Sequence, residues 1–255
     1  MKKTYLLTIA SLILLASSCQ SPEDNPYQIS KESVEPHIME LASDEFMGRK
    51  PFTEGETKTV QYLEQAYKDL GVEPGNGESY FQEVPMVSIL TQPAPTMTIQ
   101  SKNQSIELKG LEDYVIWTQR TDSLLAVDEA ELVFAGYGIV APEYGWNDYK
   151  NIDVKGKIVV LLVNDPGYGT EDVSLFRGNT MTYYGRWTYK MEEAAKHGAL
   201  GTLIIHSTGP AGYGFNVIQN NWNTSRLSLD LRNTPTYQAM FEGWITLPVA
   251  GQLFS

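Results

Sequence analysis

The side chains best suited to hold a metal or attack a carbonyl are few in this chain: His37, His197, His206 and Cys19. A metal site needs several His, Cys, Asp or Glu groups converging on one point. No two of the histidines have the spacing of a ligand pair, and there is no His-Glu-x-x-His. His37 falls on an expected helix. His197 falls at a helix C-terminus, where an imidazolium complements the dipole. His206 ends an expected strand. All three read as structural. A serine nucleophile would want Gly-x-Ser-x-Gly and a phosphate loop would want Gly-x-x-x-x-Gly-Lys-Ser/Thr; neither occurs. Gly136-Tyr137-Gly138-Ile139-Val140-Ala141 opens like a dinucleotide fingerprint, but Pro142-Glu143-Tyr144-Gly145-Trp146 reads as a turn where pyrophosphate requires a helix N-terminus. The acid pairs Asp44-Glu45 and Glu192-Glu193 read as solvated faces. Catalytic residues: none. Metal ligands: none. Tyr183-Tyr184-Gly185-Arg186-Trp187, with Trp146 and Trp222, offers broad, stiff contact area for a peptide or sugar. The same residues would equally serve as packed core.

The net charge of -12 repels phosphates, so no nucleic-acid partner is expected. Lys2 and Lys3 precede a mostly apolar run over residues 5–16, too short to span a bilayer. Ala16-Ser17-Ser18-Cys19 is similar to the bacterial lipobox, with Ala16 where Leu is usual. Cys19 is thus the expected lipidation site, residues 1–18 the signal peptide and residues 19–29 a tether broken by prolines. The expected location is the bacterial cell envelope, lipid-anchored in the outer membrane or periplasm, with a secreted protein as the alternative. The membrane would then be a partner through the anchor. Cys19 is the one cysteine, so no disulfide is expected.

These groups need elements to hold them. One helix is expected from Ser33, as cap, with Pro36 in its first turn and Val34, Ile38, Leu41 and Ala42 on one face. A second is expected from Thr53, with Glu56 completing a capping box and Val60, Leu63, Tyr67 and Leu70 as its stripe. From about Pro74 the pattern becomes β-rich, with strands expected over 96–100, 106–108, 114–118 and 130–135. Lys157-Ile-Val-Val-Leu-Leu-Val163 reads as a strand buried on both faces. A helix over 188–197 and a strand over 202–206 complete a parallel crossover.

Several stretches resemble a known family. Ala42-Ser43-Asp44-Glu45-Phe46-Met47-Gly48-Arg49 with Thr53-Glu54-Gly55-Glu56 is similar to the opening of metallopeptidase family 28, the co-catalytic zinc aminopeptidases. Phe134-Ala135-Gly136-Tyr137-Gly138-Ile139, Asp153-Val154-Lys155-Gly156-Lys157-Ile158-Val159 and Ala194-Ala195-Lys196-His197-Gly198-Ala199 are similar to the protease-associated domain that many members carry as an insertion. The resemblance implies an α/β fold: an incomplete zinc-aminopeptidase α/β domain, N-terminal helices only, over 30–74, and a β-rich protease-associated domain over 75–255. It implies two zinc ions and a peptide substrate for the full-length family member. The family's metal-binding segments follow the inserted domain, and none has a counterpart up to Ser255. No cofactor and no aminopeptidase activity are therefore expected of this chain alone. The alternative is a stand-alone envelope lipoprotein that binds peptide or glycan through the aromatic residues; a remnant without function is a third reading.

Overall fold

The computed structural model describes residues 29–101, 104–222, 224–233 and 238–255. Cys19 and the expected signal peptide lie outside the described residues. The chain divides into two compact units, 1–83 and 84–255.

The first unit holds helices α1 (Lys31–Leu41) and α2 (Glu54–Asp69). Ser30, not Ser33, caps α1: Ser33 Nα donates to Ser30 Oγ, and Ser33 Oγ accepts from Ser30 Nα. Ser33 is therefore the third helical residue, and Pro36 lies deeper inside the helix than expected. Thr53 starts α2, but its hydroxyl donates to the Lys50 carbonyl at 2.6 Å while Glu56 accepts from Phe52 N–H. The expected box is thus shifted one residue back. The helix faces expected to be apolar carry side chains that stay open, with Ile38 at 60% and Leu70 at 75% exposure.

The second unit is mixed α/β, with a five-stranded mixed sheet and three two-stranded antiparallel ones. Its strands are β1 (Met86–Ile89), β2 (Thr96–Gln100), β3 (Ser105–Lys109), β4 (Tyr114–Trp117), β5 (Leu132–Phe134), β6 (Val140–Ala141), β7 (Trp146–Asn147), β8 (Ile158–Leu162), β9 (Gly201–His206), β10 (Arg226–Leu229) and β11 (Phe241–Thr246). Its helices are α3 (Trp187–Lys196), α4 (Thr208–Ala211), α5 (Phe215–Trp222) and α6 (Leu247–Leu253). The large sheet runs β4-β11-β9-β8-β5, parallel except for β4. Residues 158–161 of β8 and all six of β9 are buried, which is why β8 reads Ile-Val-Val-Leu-Leu and β9 carries Leu203-Ile204-Ile205 without alternation.

The parallel strands β5, β8, β9 and β11 are neighbours in chain order, so every crossover steps the same way across the sheet. Right-handed crossovers that step one way stay on one face. Met191 and Ala194 of α3 and Ile218 of α5 accordingly pack together on Val159, Leu161, Ile204, Trp244, Val115 and Trp117. The other face, carrying Ile158, Val160, Leu203, Ile205, Ile245 and Tyr114, receives Ile99 and Leu108 of the β2–β3 hairpin and Val249 and Ala250 of α6.

Gly243 sits in β11 between β4 and β9, where a Cβ would lie 2.6 Å from both Ile116 Cγ2 and the Val115 carbonyl oxygen. The backbone atom cannot yield without parting β11 from the edge strand β4. Gly243→Ala is expected to lower the unfolding free energy by about 1–3 kcal/mol, read from urea melts; an unchanged midpoint would show that the strands part freely.

Candidate functional site

Polar groups gather where the parallel strands end. After β5 the chain turns through Gly136 and Gly138, both at positive φ, and a Cβ on Gly138 would meet Leu161 at 2.7 Å. Asp148 ties this turn down: its Oδ2 accepts from Ile139 N–H at 2.9 Å, and its own N–H donates to the Ile139 carbonyl. No helix follows the turn; β6, a 3-10 turn over Pro142–Tyr144 and β7 do, leaving no N-terminus for a pyrophosphate. The Tyr137 carbonyl accepts from Lys190 Nζ at 2.6 Å. Lys190 projects from the covered side of α3 and is fully buried.

After β8 the chain reaches Asn164, at φ 68°, whose Nδ2 donates to the Pro210 carbonyl at 2.7 Å. Asp165, also fully buried, accepts from Gly167 N–H at 3.1 Å and from both Thr182 N–H (2.9 Å) and Thr182 Oγ1 (2.7 Å). One carboxylate therefore pins both ends of the long connection between β8 and α3. Buried charge without such donors would be costly. Burial drives Lys190 down to about 7, with the carboxylates of Asp148 and Asp165 opposing the shift. At the end of β9, His206 is buried against Tyr213, Phe215 and Trp244, and its Nε2 has no partner among the described residues. Burial lowers its pKa, and a hydrogen bond to the backbone at Tyr213 offsets part of that.

The structure splits the aromatic residues singled out in the sequence. Trp146 and Tyr184 pack edge-on to Phe176 at 5.7 and 5.9 Å. Trp187 and Trp222 instead join Trp117 on the sheet: Trp117 stacks on Trp222 at 3.6 Å, and Trp187 stands edge-on to both. A 3.6 Å stack leaves no space for a ligand between the rings. Arg186 caps α3 rather than joining either group. Tyr183 alone among them stands well out, at 63% exposure. Beside the tryptophans, Glu242 accepts from Trp117 Nε1 at 3.0 Å and from Gln119 Nε2; burial raises its pKa, and these two donors counter it.

The three histidines have separate surroundings. His37 Nδ1 lies 2.7 Å from Tyr62 Oη in the first unit. His197 stacks on Tyr149 at 4.2 Å and faces Glu193 at 3.4 Å. His206 is enclosed by rings. Glu192 is exposed, and Glu45 pairs with Lys58 at 3.5 Å. Among the described residues no three His, Cys, Asp or Glu side chains converge. Lys190 and Asp165 were not singled out in the sequence. Their signals were a lysine inside the apolar stripe Trp187, Met191, Ala194, and an acid three residues past the end of a largely buried strand.

No family model matches this chain, and no curated protein does. Among solved structures, an aminopeptidase from Aneurinibacillus sp. strain AM-1 is similar over 79% of this chain at 20% identity, with a TM-score of 0.33. The chain spans 35% of that protein's length. At that score the likeness carries no argument about activity.

Titration of this cluster is measurable. In the unfolded chain the Lys190 amine keeps its proton to about pH 10.5, while in the folded chain it loses it near 7. Between those values the unfolded state binds more protons, so stability rises with pH. Tyr189, pushed up to about 12 by burial, and Tyr149, pushed higher still by burial, act oppositely. They stay protonated when the unfolded tyrosines ionise, so stability falls above about pH 10. Denaturant melts are expected to show a gain on the order of 2–4 kcal/mol from pH 7 to a maximum near pH 10. Lys190→Met should remove the rise and leave the fall; a wild-type profile flat over that range would refute the assignment.

Proposed function

We propose that the chain is the front part of a co-catalytic zinc aminopeptidase of metallopeptidase family 28, held in the bacterial envelope through a lipidated Cys19. In this reading residues 30–74 begin the peptidase domain and residues 75–255 are the inserted protease-associated domain, which shapes access for peptide substrates. One observation carries it. The three stretches that resemble the inserted domain are distant in sequence, yet each is fastened to the same strand, β8, or to the turn that leads into it. Ala135 N–H donates to the Val160 carbonyl, and Leu162 N–H to the Gly136 carbonyl. Gly156 N–H donates to the Gly198 carbonyl, and Leu200 N–H to the Lys157 carbonyl. Stretches recognised separately thus act as one structural frame, as parts of a single domain should.

In this reading the chain's share of the work is structural. The motif residues hold backbone turns, and the ionisable groups beside them, Lys190, Asp165 and Asp148, hold carbonyls and amides. The family's chemistry comes from two zinc ions that activate a water and polarise the peptide carbonyl. Among the described residues no three His, Cys, Asp or Glu side chains converge, so these residues do not fit such a pair. Its contribution is to position and to shape.

Two measurements test the proposal. Protein spanning residues 19–255, supplied with zinc, is expected to release no p-nitroaniline from leucine p-nitroanilide above the blank. Chelator-sensitive turnover would overturn the non-catalytic role. Bacteria expressing the full chain and fed an alkyne fatty acid should label it, and Cys19→Ala should abolish the label; equal labelling of the variant would refute the anchor.

A further inference from the structure

The one-way winding leaves the second sheet face covered only in part. The β2–β3 hairpin and α6 lie on it, and the connection over residues 118–131 runs from β4 at one edge to β5 at the other. Between these parts lies an open groove of about 1420 Å³. That exceeds the ~300–1,000 Å³ of small-molecule sites and suits a polymer. Its lining includes Met97, Ile116, Phe241 and Phe254, with Leu124 and Val127 on the connection itself. Leu124 is 81% exposed and so stands over the groove without a partner surface.

The connection is anchored at its ends and free between them. Thr118 N–H donates to Thr91 Oγ1, and Gln119 donates to Glu242. At the far end Ile158 N–H donates to the Glu131 carbonyl, and Glu131 pairs with Lys157 at 2.9 Å. From Ser123 to Ala130 no hydrogen bond to another described residue is made. A stretch of unpaired backbone beside an apolar groove is what strand addition uses: main-chain bonds supply affinity, and alternate side chains enter the groove. Charge narrows the occupant further. Among the described lining residues, Asp122, Asp128, Glu129 and Glu131 stand against one cation, Arg120, which Asp122 holds at 2.8 Å; Lys157 holds Glu131, so Asp128 and Glu129 are the acids left to meet a ligand.

We propose that this groove binds an extended peptide segment whose apolar side chains enter it and whose Lys or Arg side chains meet the acidic rim. The connection over residues 123–130 supplies the main-chain hydrogen bonds. Complementary charge adds rate and selectivity, and the apolar floor adds affinity. The inference stands apart from the peptidase reading, because it is measured without turnover.

The test uses the chain from residue 19 to 255 and three labelled heptapeptides. The first alternates Leu or Val with Lys, the second replaces Lys by Glu, and the third replaces Leu and Val by Ser. Fluorescence anisotropy is expected to show binding of the first and a loss of about tenfold or more for each of the others. Leu124→Asp and the pair Asp128→Lys, Glu129→Lys should each weaken the first peptide by about tenfold. These side chains are exposed, so the melting temperature should stay put and separate lost binding from lost folding. Amide exchange is expected to slow within residues 123–130 when the first peptide is present. Equal binding of all three peptides, no binding of the first, indifference to both variants, or protection confined to the Tyr183 surface would each overturn the proposal.

Discussion

Strand β8 is the interaction on which the second unit depends. It pairs on both edges, with β5 and β9, and its side chains are buried on both faces. A parallel strand in that position cannot be reached by a tight hairpin, so each neighbour arrives by a long crossover. The crossovers all step one way, and handedness then commits α3 and α5 to one face. Cover on the other face has to come from elements outside the parallel run. The hairpin, α6 and the connection over 118–131 meet that need incompletely, so one face is a dense core and the other retains a groove.

The same commitment explains the buried charges. Each parallel strand ends at the same rim and must turn, and turning backbone leaves carbonyls and amides without ladder partners. At this rim Lys190 and Asp165 are fully buried. The vacant acceptors and donors are met instead by Lys190 on the Tyr137 carbonyl and by Asp165 on Thr182 and Gly167. An ammonium held off its ordinary pKa by burial is a costly way to satisfy a carbonyl. It gains specificity: the group fits one placement of α3 over the Gly136–Gly138 turn.

The parts legible in the sequence are those governed by local pattern. The strands over 158–162 and 201–206 and the helix between them were evident, because continuous apolar runs and a capped amphipathic stripe are local signals. The strand over 96–100 matched its expected bounds. What escaped depends on distant partners. Trp117 and Trp222 are 105 residues apart in number, and no spacing rule brings them to a stack. Lys190 interrupts an apolar stripe, and its role is set by the distant carbonyl of Tyr137. The groove follows from handedness and strand order together, and neither is written in any one segment. Ser33 was mistaken for a cap because Pro36 suits a first turn; Ser30 prevails because Ser33 can then answer it from the third position.

The specific look of the segment over residues 42–55 has a steric origin. Met47, Gly48, Arg49 and Phe52 all sit at positive φ, three of them without glycine's freedom. Left-handed backbone costs such residues roughly 1–2 kcal/mol each, so neighbouring contacts must over-determine the path. Phe46 is buried edge-on to Tyr62, and Arg49 donates to the Leu41 carbonyl. Gly55, at the start of α2, lets the Phe46 carbonyl approach so closely that a Cβ would lie 2.3 Å from its oxygen. Only glycine permits that contact. The spacing between Phe46, Arg49 and Gly55 is therefore a steric requirement of one loop closing on one helix. The turn at Gly138 follows the same logic: a Cβ there would lie 2.7 Å from Leu161, so the residue type is set by how closely the chain passes its neighbour.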